Sequence, residues 1–191
     1  MTKALLAALG AIALTTPALA DGWTLDGDSS HLAFGSVKNT YIGEVHSFGD
    51  LSGTVGADGA TVIEIGLTSV ETYIDIRNER MVEHVFGNGP NATISTDIDI
   101  AELDGLGVGD TMMITVDATL ALLGVESSYP ADLFVARLGE DRVMVTSNDF
   151  VYIATDELGI DDGIDMLQEL AGLDSITRAV PVSMRFIFDM D

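Results

Sequence analysis

Two arginines three residues apart, Arg77 and Arg80, carry the clearest capacity for binding chemistry in this sequence. Residues at this spacing are neighbours on a helix surface, so both guanidinium groups can project from one side. The planar guanidinium donates paired hydrogen bonds to oxyanions, which suits a phosphate or a carbonyl oxygen. The alternative is pairing with acids, either Asp75, Glu79 and Glu83 nearby or acids on adjacent strands. The sequence leaves both readings open for Arg77 and favours pairing for Arg80.

A second candidate is a group of acidic residues near position 160, namely Asp156, Glu157, Asp161, Asp162 and Asp165. Hard cations such as Ca²⁺ take several oxygen ligands, so a cluster of this kind can indicate a calcium site. The spacing lacks the glutamate that closes an EF-hand loop. A helix that begins here, with Asp161 or Asp162 as its N-cap, accounts for the same residues. We therefore expect no metal site.

The sequence contains none of the common catalytic motifs. It has no cysteine, no G-x-S-x-G, no H-E-x-x-H and no G-x-x-x-x-G-K. The histidines, His31, His46 and His84, are far apart in sequence, and acids are so abundant that a neighbouring carboxylate would indicate little. We expect the three histidines to be exposed or at a rim, and we expect a protein that is not an enzyme and needs no cofactor.

The charge balance limits the partners of the protein. The 191 residues include 31 Asp and Glu against 8 Lys and Arg, a formal net charge of −23. A surface this acidic repels phosphate backbones, so we expect no nucleic-acid partner. Attraction to anionic lipid surfaces is disfavoured for the same reason. The length suits one domain with a substantial core.

The first twenty residues have the pattern of a secretory signal peptide. Lys3 is followed by an apolar run over residues 4–14 and by Ala18-Leu19-Ala20, an A-x-A cleavage site. We therefore expect residues 1–20 to be removed and residues 21–191, from Asp21, to form one exported domain. No later apolar run is long enough to span a membrane. Without cysteine there can be no disulfide, so the core alone must hold the fold.

The stretch 69–86 interrupts a chain that otherwise alternates with a period of two. Asp75 stands where a first-turn acid stabilises a helix. Residues 87–90, Gly-Asn-Gly-Pro, form a helix stop. A second short helix is predicted over 161–173. Apolar residues follow one helical face of the first stretch after Ile74: Met81, Val82, Val85 and Phe86.

The alternating segments predict about eight long antiparallel strands with no linker between them. A chain of this kind forms either a two-sheet sandwich or a closed barrel, and the even spacing favours the barrel. An eight-stranded barrel is either filled by side chains or open for one small ligand. The predicted strands lie at 23–25, 31–38, 43–55, 63–67, 94–100, 112–122, 131–138, 142–153 and 182–188.

The apolar side of each strand defines an inward-facing set, which the first helix joins through Met81 and Phe86. From the residues alone a solid core is the simpler interpretation. The strand residues in the set are Ile63, Ile65, Leu67, Ile94, Ile98, Ile114, Val116, Leu120, Met184, Phe186 and Phe188.

Several segments together resemble one family. Ser69-Val70-Glu71-Thr72, followed by residues 74–81 (Ile-Asp-Ile-Arg-Asn-Glu-Arg-Met), is the most similar part. Further similarity lies at 23–26, 30–34, 36–39, 44–48, 51–53, 120–125, 148–150 and 180–182. These segments are similar to the YceI-like family of exported polyisoprenoid-binding proteins, over nearly the whole predicted mature chain. Asn39 and His46 depart from the family, where many members carry His and Gly.

The resemblance implies a mainly β protein, a lipocalin-like antiparallel barrel of about eight strands with one or two short helices. It implies that the inward set lines an apolar cavity for a long isoprenoid chain of the polyprenyl phosphate or quinone type. Arg77 and Arg80 would then meet the head group at the mouth. The implied role is sequestration or transport in the periplasm. The alternative is a filled barrel with a structural or stress-response role, and the sequence leaves open whether the barrel forms a homodimer.

Overall fold

The structure, a computed structural model, describes residues 22–103 and 105–191. The predicted signal peptide and the predicted mature N-terminus at Asp21 lie outside the described residues. Among the residues it describes, no helix is both long enough and apolar enough to cross a membrane. The strands are β1 Trp23–Leu25, β2 His31–Lys38, β3 Ile42–Phe48, β4 Leu51–Val55, β5 Ala60–Gly66, β6 Val70–Glu71, β7 Asn91–Asp97, β8 Thr111–Leu122, β9 Val125–Arg137, β10 Arg142–Ser147, β11 Val151–Ala154 and β12 Ala179–Met190. The helices are α1 Asp75–Arg80, α2 Ile100–Leu103 and α3 Asp161–Ala171.

The strands close into an antiparallel barrel with eight strand positions. One edge of β12 pairs with β1 and β2, and its other edge pairs with β10 and β11. Three pairs of short strands, β1 with β2, β3 with β4 and β10 with β11, each share one position along the barrel wall. The short β6 pairs with β3 as β5 pairs with β4, so β5 and β6 also share one position, and the remaining positions are β7, β8, β9 and β12. The predicted mainly β, lipocalin-like barrel is therefore confirmed.

Two of the long predicted strands are interrupted. The segment predicted over 43–55 breaks at Gly49-Asp50, after which β4 pairs with β1 and β5 rather than with the partners of β3. The hydroxyl of Ser69 accepts from the Asp50 amide at 2.9 Å, so the break keeps its hydrogen bonding. The segment predicted over 142–153 breaks at 148–150. The strand predicted to reach Ile100 ends at Asp97, and Ile100 instead begins α2.

The predicted helix over 74–86 is present in two parts. Asp75 lies in the first turn of α1, which ends at Arg80, and residues Met81–Val85 continue as a wider π-type turn. Asn78 anchors the start, because its Oδ1 accepts from the backbone amide of Thr72 at 2.8 Å and from the Thr72 hydroxyl at 2.5 Å. Asn88, at φ 57°, follows the turn, as a helix stop requires.

Helix α3 packs on the π-type turn at Gly163. A Cβ at this position would lie 2.3 Å from the carbonyl oxygen of His84 and 2.7 Å from Cα of Val85, so only glycine permits the approach. The helix begins after Ile160 without a side-chain cap. The expectation that Asp161 or Asp162 caps it is therefore wrong, and both lie in the first turn, where acids interact favourably with the helix dipole.

The barrel interior is not uniform along its axis. At the end where β1, β4 and β12 meet, large apolar side chains fill the lumen, among them Leu25, Ile63, Phe186 and Phe188, each buried. Toward the other end, the same strand faces surround an open space under α1 and α3.

Candidate functional site: the barrel cavity

The open half of the barrel is a single cavity of about 490 Å³. This volume lies inside the range of about 300–1,000 Å³ that is common for small-molecule sites. Its wall is formed by inward faces of the barrel strands, and the first helical segment and α3 close one side. Most lining side chains are aliphatic or aromatic, and Phe34, Phe48 and Phe86 form a connected group with ring centroids 5.4 and 5.9 Å apart.

Seven of the thirteen residues predicted to line a cavity do so. Two of them, Met81 and Phe86, come from the segment around the π-type turn, and both are buried. The other five lie on or next to the strands that surround the open half: Ile65, Leu67, Ile94, Leu120 and Met184.

The other six predicted residues lie in the packed half, outside the cavity wall: Ile63, Ile98, Ile114, Val116, Phe186 and Phe188. Val116 packs with Ala131 and Leu133, and Ile98 covers the end of the barrel, where its amide donates to the carbonyl of Gly59. The prediction extended too far because alternation identifies the inward face of a strand but not the depth at which large side chains close the lumen.

Basic residues are concentrated at the cavity. Of the eight Lys and Arg in the sequence, Lys3 lies outside the described residues, and three of the others, Lys38, Arg77 and Arg80, line the cavity. Glu44 is the one acidic side chain among the lining residues, although the chain contains 31 acids. The cavity wall therefore has a charge balance opposite to that of the whole protein.

Arg77 pairs with an acid on an adjacent strand, one of the alternatives that the sequence left open. Its guanidinium donates to Glu44 Oε2 at 2.7 Å and to the backbone carbonyl of Thr72 at 2.5 Å. Lys38 reaches the other carboxylate oxygen of Glu44 at 3.0 Å. Burial alone would raise the pKa of Glu44, but hydrogen bonds from Lys38 and Arg77 hold that pKa below its usual range.

Arg80 pairs with no acid among the residues that the structure describes. Its guanidinium donates to the carbonyl of Leu170, near the end of α3, at 3.4 Å. This long hydrogen bond places Arg80 between α1 and α3 at the wall of the cavity. The pairing with acids that the sequence favoured for Arg80 is therefore not what the structure shows.

His46 is a cavity residue that the sequence analysis missed. It is 4% exposed, its Nε2 lies 3.0 Å from the hydroxyl of Ser36, and its ring centroid is 5.1 Å from that of Phe34. Burial, and next the positive charge of Arg77, lower the pKa of His46. The expectation of an exposed or rim position is wrong for His46. Alternation within β3 contained the signal, since His46 shares a face with the inward Phe48.

Two members of the acidic group near position 160, Asp161 and Asp165, are paired with protein groups. Asp161 accepts from the hydroxyl of Thr155 at 2.5 Å and lies 3.6 Å from Arg178, whose guanidinium also donates to Asp165 at 2.5 Å. Within residues 22–103 and 105–191, no group of three or more metal-ligating side chains comes together.

Comparisons with known proteins agree with this geometry. A solved polyisoprenoid-binding domain from Saccharophagus degradans, implicated in plant cell wall breakdown, is 36% identical with a TM-score of 0.86. The match covers 91% of this chain and 99% of that domain. BcnA from Burkholderia cenocepacia is 14% identical with a TM-score of 0.65, over 85% of this chain and 98% of BcnA, and shows the fold alone. No protein-family model and no curated protein matches the chain.

Proposed function

The chain belongs to the YceI-like family, and from that premise we propose that it is an exported lipid-binding protein. In this proposal the barrel holds a long isoprenoid chain, of the polyprenyl phosphate or quinone type, for sequestration or transport in the periplasm. The role is binding without catalysis. The observation that carries the proposal is an apolar cavity whose lining includes three basic residues in a strongly acidic protein.

The apolar wall accounts for binding of the isoprenoid chain of the ligand. Removing apolar surface from water contributes roughly 25 cal/mol per Å² on both ligand and wall, so a flexible hydrocarbon gains several kcal/mol without any directional contact. Met81 and Met184 in the wall have flexible, polarisable side chains that adapt to a ligand of irregular shape. The size of the cavity therefore sets how much of the ligand's hydrocarbon chain is buried. Selection between different ligand head groups must come from polar side chains.

Arg77 and Arg80 supply those polar groups at the wall formed by α1. Each retains hydrogen-bonding capacity, because within the described residues the Nε of Arg77 has no partner and Arg80 makes only the long bond to Leu170. The other candidate role, a filled barrel with no ligand, is disfavoured by the cavity of about 490 Å³.

The proposal is tested by extracting lipid from protein purified without denaturant and identifying it by mass spectrometry. We expect an isoprenoid lipid, and an intact mass that begins at Asp21 in protein recovered outside the cytoplasm. Protein that contains no lipid and takes up none from vesicles would refute the binding role. A retained segment of residues 1–20 on such protein would refute export alone.

A further inference from the structure

Three polar side-chain atoms in the described part of the chain are buried without a hydrogen-bond partner: His46 Nδ1, Arg77 Nε and Tyr129 Oη. All three belong to residues that line the cavity. The Tyr129 hydroxyl has Ser127 and Glu157 as polar neighbours, so His46 and Arg77 are the two residues on which the argument rests. Folded proteins pair nearly all their buried polar groups. Because all three residues line the cavity, we infer that a ligand supplies the missing partners.

His46 is held firmly on this wall. Glu44, His46 and Phe48 alternate along β3 and therefore share its inward face. The Ser36 hydroxyl, 3.0 Å from Nε2, and the ring of Phe34 fix the position of the imidazole. Nδ1 is the one ring nitrogen that remains for another partner.

Arg77 Nε lies in the same part of the wall. The Arg77 guanidinium bonds Glu44, which precedes His46 by one same-face position, a spacing of about 7 Å along a strand. Two of the three unpaired atoms therefore come from residues that are neighbours on the wall, although they belong to β3 and α1.

The charge state of this region suits an uncharged group better than a phosphate. Lys38 and Arg77 both bond the single carboxylate of Glu44, which compensates half of their formal charge and occupies donors of both side chains. Burial and the charge of Arg77 lower the pKa of His46, so the imidazole is neutral at neutral pH. Phosphate is bound best by several free charged donors. Arg80 lies toward α3, and beside Glu44 there remain one arginine N–H and one neutral ring nitrogen.

We propose that His46 is a specificity-determining residue whose Nδ1, beside Nε of Arg77, binds an uncharged carbonyl or hydroxyl oxygen of the ligand. The inference rests on the proposed lipid-binding function and deepens it. The Ser36 hydroxyl can donate to Nε2 or accept from it. In the first case Nδ1 carries the proton and donates to a carbonyl, and in the second Nδ1 accepts from a hydroxyl.

The test compares farnesol, farnesyl phosphate and farnesene binding to wild type, His46→Gln and His46→Asn. The asparagine amide replaces a polar atom near the position of Nδ1, whereas the glutamine amide reaches the position of Nε2 beside Ser36. We expect farnesol to bind His46→Gln about threefold to tenfold more weakly than wild type, the loss of one hydrogen bond. His46→Asn should stay within about twofold of wild type, and farnesene and farnesyl phosphate should be unchanged in both.

Equal losses for all three probes in His46→Gln would show that His46 only shapes the wall, and a larger loss for farnesyl phosphate would show an anion site. Either result overturns the inference. If His46→Gln is not folded by circular dichroism, the same comparison is made with His46→Phe. Binding of farnesene by wild type with no effect of His46 on farnesol would leave the lipid-binding function standing. No binding of any probe to wild type would refute that function itself.

Discussion

The two halves of the barrel are built from the same strands, but one half is packed with side chains and the other contains the cavity. Ile63 on β5 is directly opposite Ile94 on β7, yet Ile63 is 2% exposed in the packed half and Ile94 faces the cavity. Packing at one end supplies stability, because large side chains exclude water there. At the other end the inward apolar faces of these strands border the cavity instead of packing against one another. A fold without disulfides can keep an open cavity because the packed half compensates for it.

Of the variants that compare the two halves, Phe186→Ala should cause the largest loss of stability. Phe186 is 3% exposed in the packed half, so truncation should lower the free energy of unfolding by about 3–5 kcal/mol. The matched change Phe48→Ala, at the cavity wall, should cost clearly less, since this side chain is already bordered by open space. Urea denaturation of both variants measures the difference. Equal losses would show that the two halves are packed alike.

Arg77→Ala should weaken binding of a lipid with an oxygen-bearing head by about 1.5–3 kcal/mol, the usual contribution of a hydrogen bond from a charged group. The matched control is Arg185→Ala, which removes the same charge from an exposed position on β12. Isothermal titration with wild type and both variants measures the effect. Unchanged affinity in Arg77→Ala, with thermal stability also unchanged, would show that Arg77 has no role in binding beyond its ion pair with Glu44.

Gly163→Ala should weaken the packing of α3 on the π-type turn, which closes one side of the cavity. The new methyl group would press on the backbone at His84 and Val85, and overpacking of this kind costs about 1–3 kcal/mol. Gly172→Ala is a useful comparison, since Gly172 has a positive φ of 61° but nothing within contact distance of an added Cβ. Thermal melts give the stability of each, and hydrogen exchange of residues 81–86 reports separation of α3. Exchange rates in Gly163→Ala equal to wild type would contradict this packing.

The smallest effect is the pH dependence that His46 contributes. Because its pKa is lower in the folded protein than the ordinary value of 6.5, the unfolded chain binds the proton first as the pH falls. Stability should therefore decline below about pH 6.5, and His46→Gln should remove this decline. The lowered pKa values of Asp26, Glu44 and Glu71 act later, below about pH 4.5. Melting temperatures between pH 8 and 5 that are the same for wild type and His46→Gln would contradict this assignment.

Much of the fold could be predicted from period-two alternation and turn residues. The strand over 31–38 and the hairpin at Asp58-Gly59 are present as expected, because both depend on local patterns. The breaks at Gly49-Asp50 and at 148–150 could not be predicted from local patterns. At the first break the Ser69 hydroxyl, from a distant segment, supplies hydrogen bonds that the strand ladder loses.

The sequence predicted an apolar cavity inside the barrel, but not how much of the barrel it occupies. Alternation placed Ile65 and Phe186 on the same inward side, and only the three-dimensional packing assigns one to the cavity and the other to the filled end. His46 was missed because only apolar residues were assigned to the inward set, although alternation in β3 places His46 on the same face as Phe48. The pairing of Arg77 with Glu44 joins residues 33 positions apart, and the sequence offered many other acids as partners.

The most direct test of an open, ligand-holding half is to fill it. Ala118 on β8 faces the cavity, whereas Ala121 on the same strand does not line it. Native mass spectrometry of purified Ala118→Phe and Ala121→Phe measures bound lipid beside wild type. We predict that Ala118→Phe remains folded and loses most of its lipid, while Ala121→Phe retains the wild-type amount. Full lipid occupancy in a folded Ala118→Phe variant would show that the lipid is not held in this cavity and would contradict the account.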